Sequence, residues 1–336
     1  MRKVTIHDIA KKLELTAATV SRALNNHPAI SAATKKRVLD MAKKLNYTPN
    51  NLAASLRIGK TNMIGVIIPS AELHFFGSVL HGIEKVANEH KHNIIICQTN
   101  EKTADEIKSI EALLHSRVDC ILASLAKETT DTSHFAELKK KNTPLILFDR
   151  ISTQLEVPTV SVDDYKGAFM AVEHLIKQGC KRIAHIAGTE NVLAFSERIR
   201  GYKDALKKHK LPVSKELILY GDMTLESGAA ITSQLLKLPT PPDGIFAVED
   251  FSALGAIKTL QQKKIRVPED VAVIGFANES FGQYVTPSIS TVDQQAIKMG
   301  ETAAQLYFNS LLKKNFQISH IILEPMLLIR ESSDKA

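Results

Sequence analysis

Apolar residues recur every three or four positions between residues 6 and 13, and this spacing predicts a short amphipathic helix. Thr5 precedes the run and Asp8 follows three residues later, a pattern typical of a capping box at the start of a helix. Glu14 and Leu15 interrupt the spacing, so we expect a tight turn directly after the first helix.

Two further helices with the same kind of pattern are predicted. Thr16 is placed to cap a helix with the sequence TAATVSRALN, in which Val20, Ala23 and Leu24 fall on one side. Ser31 is placed to cap a third helix, whose apolar positions are 38, 41, 42 and 45. Two short helices joined by a tight turn and braced by a third are the layout of a helix-turn-helix.

A fourth short element follows the third helix. Pro49 cannot continue that helix, Asn50 can cap a new one and Gly59 can end it. Leu52 and Leu56 lie one turn apart on the same face of this element. Because so short a helix is marginal alone in water, we expect it to form only against a partner, either a second copy or DNA.

From residue 64 onward, short β-branched runs alternate with stretches of helical spacing, which predicts repeated βαβ units with buried parallel strands. The units are too many for one compact sheet, so two lobes are expected. The chain is expected to pass from one lobe to the other near 159–163 and 287–291, and it could pass between them again within 318–329. The predicted strands are 64–69, 93–98, 118–124, 144–149, 182–187, 217–220, 244–248 and 271–275. The predicted helices include 103–115, 165–178, 197–209, 225–236 and 253–263.

The distribution of charge distinguishes the first segment from the rest. Residues 1–60 hold twelve Lys and Arg against three acidic residues, whereas the remaining residues hold 31 basic and 33 acidic ones. The formal net charge of +7 therefore arises wholly from the N-terminal segment. A folded basic segment on a near-neutral body indicates a polyanionic partner such as DNA.

The sequence also excludes several classes of protein. No apolar run reaches the ~20 residues of a membrane span, and the N-terminus lacks an apolar signal core, so a cytoplasmic location is expected. Cys97, Cys120 and Cys180 lie far apart and predict buried thiols rather than disulfides or a metal site. There is no glycine-rich dinucleotide fingerprint and no histidine cluster at ligand spacing. We therefore expect no enzyme activity, no cofactor and no metal.

The motifs VTIHDIAKKL, TAATVSRALN and YTPNNLAASLRIGKTNMIGV resemble, in order and spacing, those of the LacI/GalR family of bacterial repressors. The resemblance extends through the whole chain. It implies an α/β protein with an all-α helix-turn-helix domain, a hinge helix and a periplasmic-binding-protein-like body of two doubly wound parallel-sheet lobes. The expected bounds are 1–49 for the helix-turn-helix, 50–60 for the hinge, 61–161 with 291–322 for the first lobe, and 162–290 with 323–336 for the second.

The resemblance also implies a function. A homodimer would bind a pseudo-palindromic operator in double-stranded DNA, with the second helix in the major groove and the hinge helix in the minor groove. Arg22 is then the expected base reader, flanked by Ala17 and Ala18, and Leu56 the wedge at the central base step. The expected DNA-contacting residues are Thr5, Thr16, Ala17, Ala18, Thr19, Ser21, Arg22, Asn25, Asn50, Ala53 and Leu56.

A small-molecule effector, sugar-like by resemblance, is expected in a cleft between the lobes. In open α/β sheets the ligand lies beyond the carboxyl ends of the strands, so residues that follow the strands are the candidates. They are Phe75, Phe76, Ser124, Asp149, Ser196, Arg198, Glu249, Asp250, Ala277 and Gln294.

Two of these candidates, Glu249 and Ala277, depart from the family pattern. Met223 also stands where some relatives place an aromatic residue. The family usually has Asn where this chain has Glu249, and Asp where it has Ala277. The ligand is therefore not expected to bind as it does in the galactoside or purine repressors, and a modified sugar, another organic metabolite or no small molecule remain open. The alternative function is a sugar-binding module without gene regulation.

Overall fold

The computed structural model describes residues 4–47, 61–313 and 318–335. The chain forms two compact units, residues 1–61 and 62–336. Three predicted DNA contacts in the hinge, Asn50, Ala53 and Leu56, lie outside the described residues. Among the described helices, none is long and apolar enough to cross a membrane.

The N-terminal unit contains α1 (Ile6–Leu13), α2 (Ala17–Leu24) and α3 (Ala32–Lys44). Thr5 and Asp8 form the predicted capping box, in which the Thr5 main-chain N–H donates to the Asp8 carboxylate over 2.7 Å. Glu14 ends α1 in the left-handed conformation, which makes the predicted turn. Thr16 and Ser31 cap α2 and α3 as their positions predict.

The three helices share one apolar core. Ile9 of α1, Val20 of α2 and Val38 of α3 are fully buried at its centre. Leu24 packs against this core but is only partly buried. Since α1 and α3 bury the inner side of α2, its opposite side is left facing solvent.

The larger unit begins with a six-stranded, wholly parallel sheet in the order β11-β5-β4-β3-β1-β2. Its strands are β1 (Met63–Ile68), β2 (Asn93–Gln98), β3 (Cys120–Ala123), β4 (Leu145–Phe148), β5 (Thr159–Val162) and β11 (His320–Leu323). The helices that pack with it are α4 (His74–Glu89), α5 (Thr103–His115), α6 (Ala136–Lys140) and α11 (Ala296–Lys313). Cys120 is buried as expected, whereas Cys97 on edge strand β2 is half-buried.

A second parallel sheet has the order β7-β6-β8-β9. Its strands are β6 (Ile183–Ala187), β7 (Ile218–Tyr220), β8 (Gly244–Ala247) and β9 (Ala272–Ile274). The associated helices are α7 (Asp164–Lys177), α8 (Leu193–Lys208), α9 (Leu225–Leu235) and α10 (Asp250–Gln262). β10 (Thr291–Asp293) and β12 (Met326–Leu328) form an antiparallel pair.

The chain passes between the two sheets three times, as the resemblance implies. The first passage joins β5 to α7, the second joins β10 to α11, and the third joins β11 to β12. The carboxyl ends of the strands in both sheets thereby contribute to one shared cleft.

Sequence patterns did not single out α4 and α11, although α4 places Phe76, Val79, Ile83 and Val86 on one face at helical spacing. These two helices pack closely on each other.

The start of α10 was predicted three residues late, at 253. The Glu249 side chain accepts the Phe251 N–H and thereby starts the helix at Asp250.

Glycines at the α4–α11 crossing provide a stability test. A Cβ added at Gly82 would lie 2.1 Å from the Ile297 carbonyl oxygen, so the two helix backbones must separate. Gly82→Ala is expected to lower the free energy of unfolding by about 1–3 kcal/mol in denaturant titrations. Gly77 lies in the same helix with nothing near its added Cβ, so Gly77→Ala should stabilise by roughly 0.5–1 kcal/mol. Equal effects of the two substitutions would contradict the close crossing.

Candidate functional site

The solvent-facing side of α2 presents the predicted DNA-reading residues. Ala18, Arg22 and Asn25 are exposed, and Ala17 is half-buried. Within residues 4–47, no protein group forms a hydrogen bond or ion pair with the Arg22 guanidinium. A free guanidinium can present its fork of donors to O6 and N7 of guanine, which is the commonest base-specific contact.

Several of the other predicted DNA contacts already serve the fold. The Thr5 hydroxyl belongs to the capping box, and the Thr16 hydroxyl accepts the Thr19 N–H over 3.1 Å. The Asn25 amide donates to the Ser21 carbonyl over 2.8 Å. These residues hold the ends of the helices in place and are still half-buried to exposed, so contact with a DNA backbone stays open to them.

A second candidate site lies at the strand ends of the body. Seven of the ten predicted effector residues line one cavity of about 50 Å³, namely Phe75, Phe76, Asp149, Arg198, Glu249, Ala277 and Gln294. The same cavity is lined by Arg150, which adjoins Asp149, and by Met223. It is also lined by Leu73, Ala194, Phe195 and Glu279, which sequence reasoning did not select as site residues. A space of this size holds only a few water molecules, so the cleft is nearly closed in this structure.

Three predicted effector residues do not line this cavity. The buried Ser124 hydroxyl donates to Asp149 over 3.2 Å and therefore supports a residue that does. Asp250 is fully buried below the cleft, where it accepts the Thr291 hydroxyl over 2.7 Å. Ser196 lies on a separate surface pocket with Arg200 and donates to the Leu193 carbonyl, because its position on α8 points away from the cleft.

Arg150 lies next to Asp149 at the end of β4, and its own partners are remote in sequence. Its Nη1 donates to Glu101 over 2.6 Å, and its guanidinium lies 5.9 Å from the Phe76 ring and 5.5 Å from the Phe195 ring. Phe76 belongs to the first lobe and Phe195 to the second, so this cation sits between the two walls of the cleft. Arg150 also lines a larger, neighbouring cavity of about 230 Å³ with threonine-rich walls.

Arg198 is more deeply embedded than a ligand-binding residue alone requires. Its Nε donates to Asp164 over 2.8 Å, its Nη1 donates to the Val248 carbonyl over 2.7 Å, and its guanidinium stacks 3.6 Å from the Phe276 ring centre. The residue is 3% exposed yet still reaches the cavity wall. It therefore both fixes the second lobe and offers its remaining N–H groups to a ligand.

Asp149 faces these arginines from the end of β4. Burial raises the pKa of its carboxyl, and the charges of Arg150 and Arg198 act in the opposite direction. Its oxygen lies 4.0 Å from the Arg150 Nε. A carboxylate and two guanidinium groups around one space are suited to bidentate recognition of hydroxyl groups.

The opposite end of the cavity is acidic. Glu279 accepts the N–H groups of His74 and Phe75, each over 3.1 Å, and so caps α4 from the other lobe. Its own N–H donates to Asp250 over 2.7 Å. Glu249 lies beside them, and burial together with the Asp250 charge raises the pKa of its carboxyl well above the ordinary value.

Ala277 occupies an unusual backbone conformation within the cavity wall. Its φ is +104°, in the region that favours glycine, and its N–H donates to the Val292 carbonyl over 2.9 Å. The preceding Gly275 is required for packing, since an added Cβ would lie 2.1 Å from the Asp250 carboxylate. Ala277 thus leaves the acidic end of the cavity to Glu249 and Glu279.

Buried carboxyls in and behind the cleft predict a specific pH dependence of stability. Burial raises the pKa of Asp250 to about 7 and that of Asp164 to about 6, from an ordinary 3.8. The folded chain therefore binds more protons than the unfolded chain between about pH 4 and 7. The free energy of unfolding should accordingly fall as the pH rises through that window.

A matched variant isolates this effect. Asp250→Asn keeps an acceptor for the Glu279 N–H and removes the titrating carboxyl, so the slope between pH 4 and 7 should be reduced. Glu173, whose pKa is lowered to about 2 by hydrogen bonds from Lys208, His209 and Lys177, acts in the opposite sense below pH 4.5. Denaturant titrations across this range that show stability rising toward pH 7 would contradict the assignment.

Comparisons with known proteins match both parts of the chain. The family model of bacterial regulatory proteins of the lacI family matches residues 5–50, and that of the periplasmic binding protein-like domain matches residues 172–333. Catabolite control protein A of Priestia megaterium is 34% identical over 331 residues, covering 98% of this chain and 99% of the relative.

Two further matches are of similar extent. The probable HTH-type transcriptional repressor ExuR of Bacillus subtilis is 33% identical over 333 residues, covering 98% of each chain. The solved complex of the transcriptional regulator CelR with cellobiose has a TM-score of 0.74 at 26% identity, covering 98% of this chain and 100% of that one. With relatives above 30% identity spanning nearly its whole length, this chain belongs to the LacI family and is a DNA-binding transcriptional regulator.

Proposed function

We propose that the chain is a repressor that binds a pseudo-palindromic operator as a homodimer and is controlled by a small-molecule effector in the cleft of its body. Relatives named as a transcriptional repressor and as a catabolite control protein support this assignment. The proposal includes no catalytic step and places the protein in the cytoplasm.

The observation that carries the proposal is the exposed face of α2. Thr16, Ala17, Ala18 and Ser21 are small, so the helix can enter a major groove closely, and Arg22 extends from this face without a protein partner among residues 4–47. The excess of basic residues in the first sixty supplies the sequence-independent part of the affinity.

The cleft supports the regulatory half of the proposal. Aromatic walls with carboxylate and guanidinium groups suit a polyhydroxylated ligand, and the related CelR structure was solved as a cellobiose complex. Because the cavity is only about 50 Å³, a sugar-sized ligand requires the lobes to move apart. A ligand that binds the wider cleft more tightly would shift the equilibrium between two states of the body, and operator affinity with it.

Self-association is supported by apolar side chains on the outer edge of the first sheet. Ile96 on edge strand β2 is 48% exposed, and Ile107 on the neighbouring α5 is 37% exposed. Exposed apolar groups at the edge of a sheet are typical of a surface that is covered by a partner. We propose that this partner is a second copy of the chain.

The decisive experiment for DNA binding is selection from fragmented genomic DNA at ~0.15 M salt, where non-specific contacts weaken. The proposal expects enrichment of fragments that share a pseudo-palindromic site. A chain that enriches no common sequence, yet binds sugars, would instead support a binding module without gene regulation.

A further inference from the structure

Buried carboxyl groups outnumber buried guanidinium groups in and around the cleft. Of the charged residues in and around the cavity, five carboxylates are buried, whereas two guanidinium groups are buried with them. These carboxylates are Asp149, Asp164, Glu249, Asp250 and Glu279, and the guanidinium groups are those of Arg150 and Arg198. A buried carboxyl without a cationic partner holds its proton, which agrees with the raised pKa values of Glu249 and Asp250, and a cation that entered the cleft would favour the ionised form.

The arginines are engaged elsewhere. Arg198 pairs with Asp164 at 2.8 Å, and Arg150 pairs with Glu101 at 2.6 Å, with Asp149 4.0 Å from its Nε. Within the described ranges, Glu249, Asp250 and Glu279 form no salt bridge with a basic side chain. His74 faces Glu279, and Arg330 acts on Asp250 only through longer-range charge.

The three unpaired carboxylates differ in how well their oxygens are satisfied. Glu279 accepts two main-chain N–H groups, and Asp250 accepts one N–H and one hydroxyl. Glu249 accepts the Phe251 N–H through Oε2 at 2.8 Å. Its Oε1 has no hydrogen-bond partner, although the residue is 7% exposed and lines the cavity.

This arrangement selects among ligand chemistries. A phosphate or carboxylate at this end would meet Glu249 and Glu279 and be repelled. A neutral hydroxyl would supply a hydrogen bond to Oε1 but no charge to stabilise an ionised carboxylate. A protonated amino group supplies both a charge-assisted hydrogen bond and the missing positive charge.

On the basis of the proposed function, we propose that the effector carries a protonated amino group, as in an amino sugar, and that this group binds Oε1 of Glu249. The hydroxyl groups of the same ligand would face Asp149, Arg150 and Arg198 at the other end of the cavity. Glu249 is then the residue that determines specificity for a cationic ligand.

The test is a thermal-shift and calorimetric screen of the full chain. The panel contains amino sugars, the neutral sugars that match them, their N-acetylated forms and the corresponding sugar acids. We expect the stabilising compounds to be amines, with the N-acetylated and neutral forms bound about 10- to 100-fold more weakly.

Glu249→Gln keeps the acceptor for the Phe251 N–H and removes the charge. It should weaken amine binding by about the same 10- to 100-fold, and it should raise the melting temperature of the ligand-free protein because the cost of burying an ionisable carboxyl is removed. Glu226→Gln is the matched control, since Glu226 is exposed on α9 and does not line the cavity; it should leave both measurements unchanged.

The outcomes separate this inference from the proposed function. Neutral or anionic compounds that bind wild type and Glu249→Gln equally would overturn the inference and leave an effector-controlled regulator in place. A panel in which no compound of any charge stabilises the protein or changes its DNA binding would count against the effector itself.

Discussion

Replacing Arg198 by alanine is expected to lower the free energy of unfolding by about 3–5 kcal/mol and to abolish the response to the effector. The substitution leaves two buried groups without their partner, because Asp164 loses the guanidinium and the Val248 carbonyl loses its donor. It also removes the cation stacked on Phe276. The effect is therefore predicted to be on folding as well as on ligand binding.

Two controls separate these contributions in denaturant and ligand titrations. Arg200→Ala removes an exposed arginine from the same helix, which pairs at the surface with Glu197, and should change stability by only ~0–1 kcal/mol. Adding Asp164→Asn to Arg198→Ala should recover part of the lost stability, because the carboxylate left unpaired is then neutral. If Arg198→Ala is as stable as Arg200→Ala, the buried network does not hold the second lobe.

Replacing Arg22 by alanine is expected to weaken operator binding by about 2–6 kcal/mol, or roughly 30- to 25,000-fold. A bidentate contact with guanine contributes ~1–3 kcal/mol of discrimination, and a dimer makes that contact once in each half-site. Binding to random DNA should fall far less, because only one positive charge per subunit is removed.

Fluorescence anisotropy on the selected operator and on a scrambled duplex at ~0.15 M salt measures both affinities. Lys36→Ala removes the same charge from the exposed surface of α3 and should affect the two duplexes alike. A loss of equal size on operator and scrambled DNA in the Arg22 variant would show that the arginine contacts phosphate rather than a base edge.

Local patterns predicted most of the N-terminal unit and much of the cleft. The capping box of Thr5 and Asp8 and the helices that follow it depend on spacings of three or four residues, which are readable directly. The rule that ligands lie beyond strand ends likewise placed Asp149, Glu249 and Ala277 in one cavity. Both successes come from contacts between sequence neighbours or from a general property of parallel sheets.

The remaining features depend on contacts that no local pattern contains. Glu279 could not be identified because its partners are main-chain N–H groups of α4, about two hundred positions away in the chain. Arg150 and Phe195 meet only when the lobes approach. Conversely, Ser196 has the right residue type next to the right strand end, but the turn of α8 directs it to another surface.

The central claim is that one chain couples operator recognition at α2 to occupancy of the cleft. It is tested most directly by anisotropy of the intact protein on its selected operator, titrated with the compounds that stabilise it in the thermal-shift screen. We expect a ligand-dependent change in operator affinity of at least about fivefold, within the usual range of allosteric coupling, that needs about 10- to 100-fold more ligand in Glu249→Gln. An operator affinity that stays constant while the cleft is saturated would contradict it.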